Sequence, residues 1–505
     1  MNIHDFKTLV LSSHPLIAVE TVEEERAQAL VEAAAADLCL PLFTWSIARG
    51  LAKHPSMHAV LASTNSPLKA LRHIEDLALE GIYLFKDFCR HLEDPVVLRQ
   101  LRENLQHFAN SRSCFVLTAP DLHLPREVEH HAVHFDLKLP CKEELKNVMQ
   151  TALDSLKNEH SIRVELDSGE RENLLEALGG LTLNQARQRV ASAMIEDGVL
   201  DGNDISRIHR SKAKVIKDSG LLEYFPVQDN QFELGGFDNL KDWMERAAVG
   251  FTPRAKALNL SPPRGILLVG VQGCGKSLAA KAIARKWDAP LLKLDAGCLY
   301  DKFIGESERN LRKAIRLAES LSPVVLWIDE IEKAFVTGDG GAADGGTSLR
   351  MLGTLLTWLQ EKKDSVFVVG TANNLDLLPS ELLRKGRFDE IFFVDLPNFE
   401  ERREILSIHL EIHHQPTVAF ELDHLAYATD GFSGSEIEQV IVASLYRALF
   451  MERPLDTDIL VREIVDTVPL SVSRAEDLER MRSNARGRFV PVRAEPDPAT
   501  LPAAG

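Results

Sequence analysis

The run Gly270-Val271-Gln272-Gly273-Cys274-Gly275-Lys276-Ser277 fits the full G-x-x-x-x-G-K-[ST] phosphate-loop pattern. It constrains the fold more than any other feature, because the pattern works only where a buried strand turns sharply into a helix. Both flanks meet that demand. Gly265-Ile266-Leu267-Leu268-Val269 reads as a short buried strand, and residues 277–287 carry Ala, Leu, Ile and Lys at helical spacing. Glycines in such a turn let successive backbone N–H groups, from Gly270 through Val271, Gln272, Gly273, Cys274 and Gly275 to Leu278, face phosphate oxygens. Lys276 would reach the outer phosphates and Ser277 would ligate magnesium, so a nucleoside triphosphate is the expected ligand.

At 505 residues the chain has room for about three to four domain-sized units. Against 58 Lys and Arg stand 75 Asp and Glu, a formal net charge of −17, so a dominant electrostatic attraction to nucleic acid or anionic lipid is not expected. The six cysteines (Cys39, Cys89, Cys114, Cys141, Cys274, Cys298) lack C-x-x-C spacing, which favours reduced thiols over a disulfide framework. Cys274 is read as a backbone contributor rather than a redox centre. The N-terminus has no basic stretch followed by an apolar core, and no run reaches the length of a membrane span. A cytoplasmic protein without a membrane span is the expectation.

Beyond the phosphate loop, apolar runs at 291–294, 324–328, 366–369 and 391–394 alternate with helical stretches, the pattern of a parallel α/β sheet. The first part of the chain repeats it. Cys114-Phe115-Val116-Leu117-Thr118-Ala119 resembles Val366-Phe367-Val368-Val369-Gly370-Thr371-Ala372. His134-Phe135-Asp136-Leu137-Lys138-Leu139-Pro140 precedes a charged helix beginning near Lys142, as Phe392-Phe393-Val394-Asp395-Leu396-Pro397 precedes one near Glu400. Ala177-Leu178-Gly179-Gly180-Leu181-Thr182 opens a helix as Ala428-Thr429-Asp430-Gly431-Phe432-Ser433 does, and Gly81-Ile82-Tyr83-Leu84-Phe85-Lys86-Asp87 supplies the matching third strand. The first strand, Leu16-Ile17-Ala18-Val19, instead runs into Glu20-Thr21-Val22-Glu23-Glu24-Glu25, whose carboxylates would repel phosphate. Residues 1–200 are therefore read as a degenerate copy of the same fold, with a small helical lid and no phosphate loop. A generic regulatory α/β domain is the other reading. Residues 206–224, polar and helix-prone with Lys212, Lys214 and Lys217, are expected to be a solvated linker within 201–228. Residues 485–505, rich in Arg, Pro and Ala, are expected to be mostly disordered.

Val324-Val325-Leu326-Trp327-Ile328-Asp329-Glu330 is an apolar strand ending in two carboxylates, the arrangement of a Walker B motif. Adjacent residues leave a strand end in different directions, so Asp329 would hold magnesium while Glu330 polarises the attacking water.

With these motifs in hand, residues 229–470 resemble the AAA ATPases of the AAA+ superfamily. The resemblance implies ATP and Mg2+ as ligands, a P-loop NTPase sheet over 229–396 and a C-terminal helical lid over 397–470, with 471–505 as an extension. It implies further roles, each for a residue that matches a family motif. Asn373 matches the first sensor. Leu382-Leu383-Arg384-Lys385-Gly386-Arg387-Phe388-Asp389 resembles the arginine-finger segment, in which Arg384 and Arg387 would reach the nucleotide of a neighbouring subunit; two surface arginines in a turn is the other reading. Leu234-Gly235-Gly236 is similar to the base-side contact, His409 occupies the lid's Ile-His position, and Gly434 with Ser435 matches the segment that closes over the nucleotide. Ser435 and Glu436 depart from the usual alanine and aspartate. Asp301-Lys302-Phe303-Ile304-Gly305-Glu306-Ser307-Glu308 matches the first pore loop, which would make Phe303 and Ile304 substrate contacts unless both pack beneath the following helix. Glycine-rich residues 338–346 form a loop that could also approach a pore.

The N-terminal copy, Gly220-Leu221-Leu222-Glu223-Tyr224-Phe225 and Gly270-Val271-Gln272-Gly273 together resemble a reading-frame family of AAA domain-containing proteins from chloroplast and cyanobacterial genomes. The function implied is ATP hydrolysis by a homo-oligomer, a hexamer by family resemblance, that remodels a protein substrate. A nucleotide-controlled interaction platform with slow turnover is the alternative.

Overall fold

The computed structural model describes residues 3–55, 64–77, 79–109, 111–159, 163–164, 166–218, 220–226, 236–299, 306–335, 347–362, 365–384 and 386–493. The chain divides into two compact units, Met1–Leu153 with Leu181–Val190, and Asp154–Gly180 with Ala191–Gly505.

The first unit is built on β1 (Leu16–Glu20), β2 (Leu42–Ser46), β3 (Gly50–Lys53), β4 (Ile82–Lys86), β5 (Cys114–Ala119) and β6 (Ala132–His134), in the order β3-β2-β4-β5-β1-β6. All neighbours are parallel except the β2–β3 hairpin. The central strands are apolar along their length because both faces are covered. Phe6, Val10, Ala27 and Val31 cover one face, from helices Ile3–Leu11 and Glu24–Asp37. The other carries an aromatic cluster in which Trp45 stacks on Phe85 at 5.1 Å and Phe108 on Phe115 at 4.9 Å.

In the second unit a short pair, β7 (Arg163–Val164) and β8 (Val199–Leu200), precedes the main sheet of β9 (Leu222–Phe225), β10 (Gly265–Gly270), β11 (Leu291–Asp295), β12 (Val324–Asp329), β13 (Val366–Ala372), β14 (Glu390–Val394) and β15 (Val490–Pro491). Its order is β15-β14-β10-β13-β12-β11-β9, parallel except for β9. The order β2-β4-β5-β1-β6 in the first unit corresponds strand for strand to β11-β12-β13-β10-β14 in the second. The repeat seen in the sequence is thus a repeat of connectivity. In both units the first strand of the series lies between the last two, the switch point outside which α/β sheets bind ligands. Beyond β14, helices Phe399–Ile412, Leu422–Ala428, Gly434–Phe450 and Thr457–Asp466 form the lid around Leu406, Leu410, Leu425, Ile437, Ile441 and Leu460. Three of these helices start on an Asn, Ser or Asp cap: Asn398, Ser433 and Asp456.

One expectation needs correction. The segment 206–224 is no linker: it folds as helix Gly202–Asp218 and the edge strand β9, with Ile205, Ile208, Ile216, Leu222 and Tyr224 buried. Sparse apolar residues at helical spacing suffice to dock this helix, although its composition is polar. Residues 485–493 continue from helix Ala475–Ala485 into β15. Residues 494–505 lie outside the described residues.

Lys212 is only 2% exposed. Its Nζ lies 3.4 Å from the Glu176 carbonyl oxygen and 5.1 Å from the centre of the Tyr224 ring. Burial pulls its pKa down from 10.5 to about 7, with Glu176 opposing. Neighbouring His209, bonded to the Tyr224 hydroxyl at 3.0 Å, is pulled down to about 4, chiefly by burial. The unfolded chain binds the lysine proton more tightly than the folded one, so this residue's contribution to stability rises with pH from about 7 towards 10.5. Lys212→Met should therefore be the more stable protein at pH 7, by about 1–4 kcal/mol. Urea denaturation of both proteins should show that advantage shrinking towards pH 10.

Candidate nucleotide site

The phosphate loop leaves the central strand β10 at its carboxyl end and enters helix Lys276–Lys286. Two of its positions exclude any side chain. A Cβ on Gly270 would sit 2.0 Å from the Val394 carbonyl oxygen on β14, and one on Gly273, where φ is +76°, would sit 2.0 Å from Ser435 Oγ. Ser435 N–H donates to the Gly273 carbonyl at 3.1 Å, so the lid is tied to the loop through the backbone. Glu436 completes a capping box with Ser433 and also accepts the Leu470 N–H at 2.7 Å, a reach that the longer side chain allows where aspartate is usual.

Lys276 is 6% exposed and donates to the carbonyls of Gly270 and Val271 at 2.9 and 2.7 Å. Burial pulls its pKa down to about 8, opposed in part by Glu332, Asp329 and Glu330. Phosphate oxygens would offer the ammonium stronger acceptors than these carbonyls. Cys274 is buried and its thiol is pushed up to about 12, which suits a backbone contributor.

The carboxylates approach from β12. Asp329 ends that strand, and Glu330 follows with φ +48°, a left-handed turn that separates the two side chains. Thr371 on β13 stands between them: its hydroxyl donates to Asp329 Oδ1 at 2.8 Å and accepts the Glu330 N–H at 3.2 Å. Asn373 Nδ2 donates to Glu330 Oε1 at 3.0 Å, and its backbone N–H donates to Glu332 Oε1 at 2.8 Å. Lys293 on β11 pairs with Asp329 at 3.1 Å while stacked over Trp327, and Lys333 pairs with Glu330. Glu332 is buried; its Oε2 has no partner among the described residues, and burial raises its pKa.

These groups share an open cleft of about 960 Å³. Its lining includes Gln272, Gly273, Cys274, Gly275, Lys276, Ser277, Leu278, Asp329, Glu330 and Asn373, and, from the lid, His409, Gly434 and Ser435. Burial lowers the pKa of His409, which favours a neutral imidazole. The side-chain-free cradle, the buried ammonium and the two carboxylates fit a nucleoside triphosphate with Mg2+. Arg384 and Arg387 do not line this cleft. Their turn is held by Arg264, which donates to the Gly386 carbonyl at 2.7 Å, and by Asp389, which accepts the Gly265 N–H at 3.0 Å. Arg384 is exposed, and Arg387 Nη1 has no hydrogen-bond partner among the described residues. Gly235, Phe303, Ile304 and the loop 338–346 lie outside the described residues.

The equivalent position in the first unit is filled from within. Glu23, 8% exposed, accepts the N–H of Leu183 at 2.8 Å, at the start of helix Leu183–Asp197. Its second oxygen pairs with Arg26 at 3.2 Å, and Arg26 forks onto Glu144 at 3.0–3.2 Å. A carboxylate there makes the contacts that an anion makes at a helix N-terminus.

A phosphate loop at a sheet switch point, a carboxylate pair hydrogen-bonded to an asparagine, and a helical lid define a P-loop ATPase core of the AAA type. The profile of the ATPase family associated with various cellular activities (AAA) matches residues 266–396. Those of the SpoVK-like AAA ATPase N-terminal and second domains match 3–137 and 143–219. The chain is 37% identical to the uncharacterized AAA domain-containing protein ycf46 of Trieres chinensis, over 97% of this chain and 98% of that one. It is 36% identical to the ycf46 protein of Guillardia theta, over 95% and 94%. The proteasome-activating nucleotidase of Aeropyrum pernix is 38% identical over 38% of this chain and 48% of its own. The chain belongs to the AAA ATPases, in the ycf46 family of AAA domain-containing proteins.

Thr371, Glu332 and Lys293 were not singled out from the sequence. Thr371→Val keeps the shape of the side chain and removes the hydroxyl shared by Asp329 and Glu330. It should lower kcat for ATP by about 10- to 100-fold, the usual scale for a residue that orients a metal or catalytic ligand, with little change in nucleotide affinity. Steady-state turnover and nucleotide titration of this variant would check both halves.

Proposed function

We propose that this chain is an ATP-hydrolysing motor that works as a ring of identical subunits and remodels a protein partner. The observation that carries the reading is the Glu330 carboxylate, oriented by Asn373 at 3.0 Å beside Asp329 and across the cleft lining from Lys276. In this reading the loop N–H groups and Lys276 bind the β- and γ-phosphates, and Ser277 and Asp329 would hold a magnesium ion that would supply charge neutralisation. Glu330 accepts a proton from the attacking water, and Asn373 keeps that carboxylate aimed. The exposure of Arg384, and the absence of both Arg384 and Arg387 from the lining of their own cleft, support a role for the pair in the site of an adjacent subunit. Such a finger is worth roughly 10³ to 10⁵ in rate. Likeness to a proteasome-activating nucleotidase supports a polypeptide as the substrate, gripped by Phe303 and Ile304. Among the described residues no helix is long and apolar enough to cross a membrane. Exposed, unpaired Cys39 and Cys141 fit a reducing, cytoplasmic setting.

Lys276→Ala should remove all ATP binding, because the first unit's equivalent cradle is filled by Glu23. Glu330→Gln should retain binding and lose about 10²- to 10⁴-fold in turnover. Equilibrium binding with a fluorescent ATP analogue and phosphate-release assays check the pair. Wild-type turnover no greater than that of Lys276→Ala would refute the enzymatic reading.

A further inference from the structure

The C-terminal extension has no part in the chemistry above, yet it reaches the cleft. Strand β15 runs parallel to β14, pairing Val490 with Phe392 and Pro491 with Phe393, and the Val492 N–H donates to the Phe393 carbonyl at 3.1 Å. From the other side Asn239 donates its N–H to the Val492 carbonyl at 3.0 Å and its side-chain amide to the carbonyls of Pro491 and Arg493 at 3.0 and 2.8 Å. Held on both sides, Val492 and Arg493 become part of the cleft lining.

The Arg493 guanidinium then spans the passage from sheet to lid. Nη1 is 3.1 Å from Glu401 Oε2, in the first turn of the first lid helix, and Nη2 is 3.9 Å from Asp395 Oδ2, just past β14. Glu401 already closes the capping box with Asn398, and a Cβ on Gly236 would lie 2.3 Å from its Oε1. Asp395 is also fixed by a two-pronged contact with Arg482, whose Nε and Nη2 donate to its two oxygens at 2.9 Å each. Arg493 is 27% exposed, Asp395 21% and Glu401 12%, so solvent screens these pairs only in part.

We infer that the C-terminal strand is a working part of the nucleotide site: Val492 forms an apolar wall of the cleft, and Arg493 is a positioning residue that sets the lid against the sheet. The inference rests on the reading of the cleft as an ATP site. A group that shapes the cleft before chemistry changes ground-state binding, so its loss shows in KM and not in kcat.

The test uses the full-length chain with Arg493→Ala, Arg493→Lys and a truncation after residue 489, beside wild type and Lys276→Ala. Each is titrated with N-methylanthraniloyl-ATP and assayed for ATP turnover. Arg493→Ala and the truncation should raise Kd and KM by about 10-fold, the scale of one lost charge-assisted hydrogen bond, and leave kcat within about 2-fold. Arg493→Lys should recover part of the loss. If Arg493→Ala lowers only the melting temperature, or lowers kcat at unchanged KM, the inference is overturned while the ATP reading stands. If wild type binds the analogue no better than Lys276→Ala, both are overturned.

Discussion

The second unit turns on the close approach of one backbone to another at the end of β10. The Gly270 carbon lies against the Val394 carbonyl with no room for a methyl group, so loop and sheet are fixed with respect to one another by van der Waals contact before any ligand is considered. The Ser435 N–H on the Gly273 carbonyl ties the lid to the same loop, and Lys276 points inward, where burial makes its charge costly. A buried ammonium resting on two carbonyls is a group held ready for a stronger acceptor. Preorganisation of this kind means that little reordering is required when an anion arrives.

The two units show one topology put to two uses by the residues at one turn. After β10 the chain has glycines and a lysine; after β1 it has Glu23, whose carboxylate accepts the Leu183 N–H and pairs with Arg26. The cores on both faces of the first unit's sheet do not draw on that turn, so its α/β layer stands without a phosphate loop.

What could be read from the sequence was what local pattern carries. The phosphate loop and the Asp329–Glu330 strand end each depend on residues adjacent in the chain, and Asn373 followed from the family motif at the end of its strand. Thr371 was opaque because its importance comes from a cross-strand neighbour: β12 and β13 lie side by side, and nothing in Gly370-Thr371-Ala372 announces which side chain will face Asp329. The helix Gly202–Asp218 was misread because a few isoleucines dock it while most of the remaining positions are polar or charged. Two-residue β15 has no period to detect, and its hydrogen-bond partner lies far earlier in the chain.

The two outer strands of the ATPase sheet carry a consequence of a different kind. β9 closes one side in the antiparallel sense and is held by helix Gly202–Asp218, while short β15 closes the other and has its outward carbonyls taken up by Asn239. A long unpaired edge would invite a second chain to extend the sheet. At four and two residues, β9 and β15 each offer little length for strand addition, which leaves the broad helix and loop faces as the larger surface on which another molecule could rest.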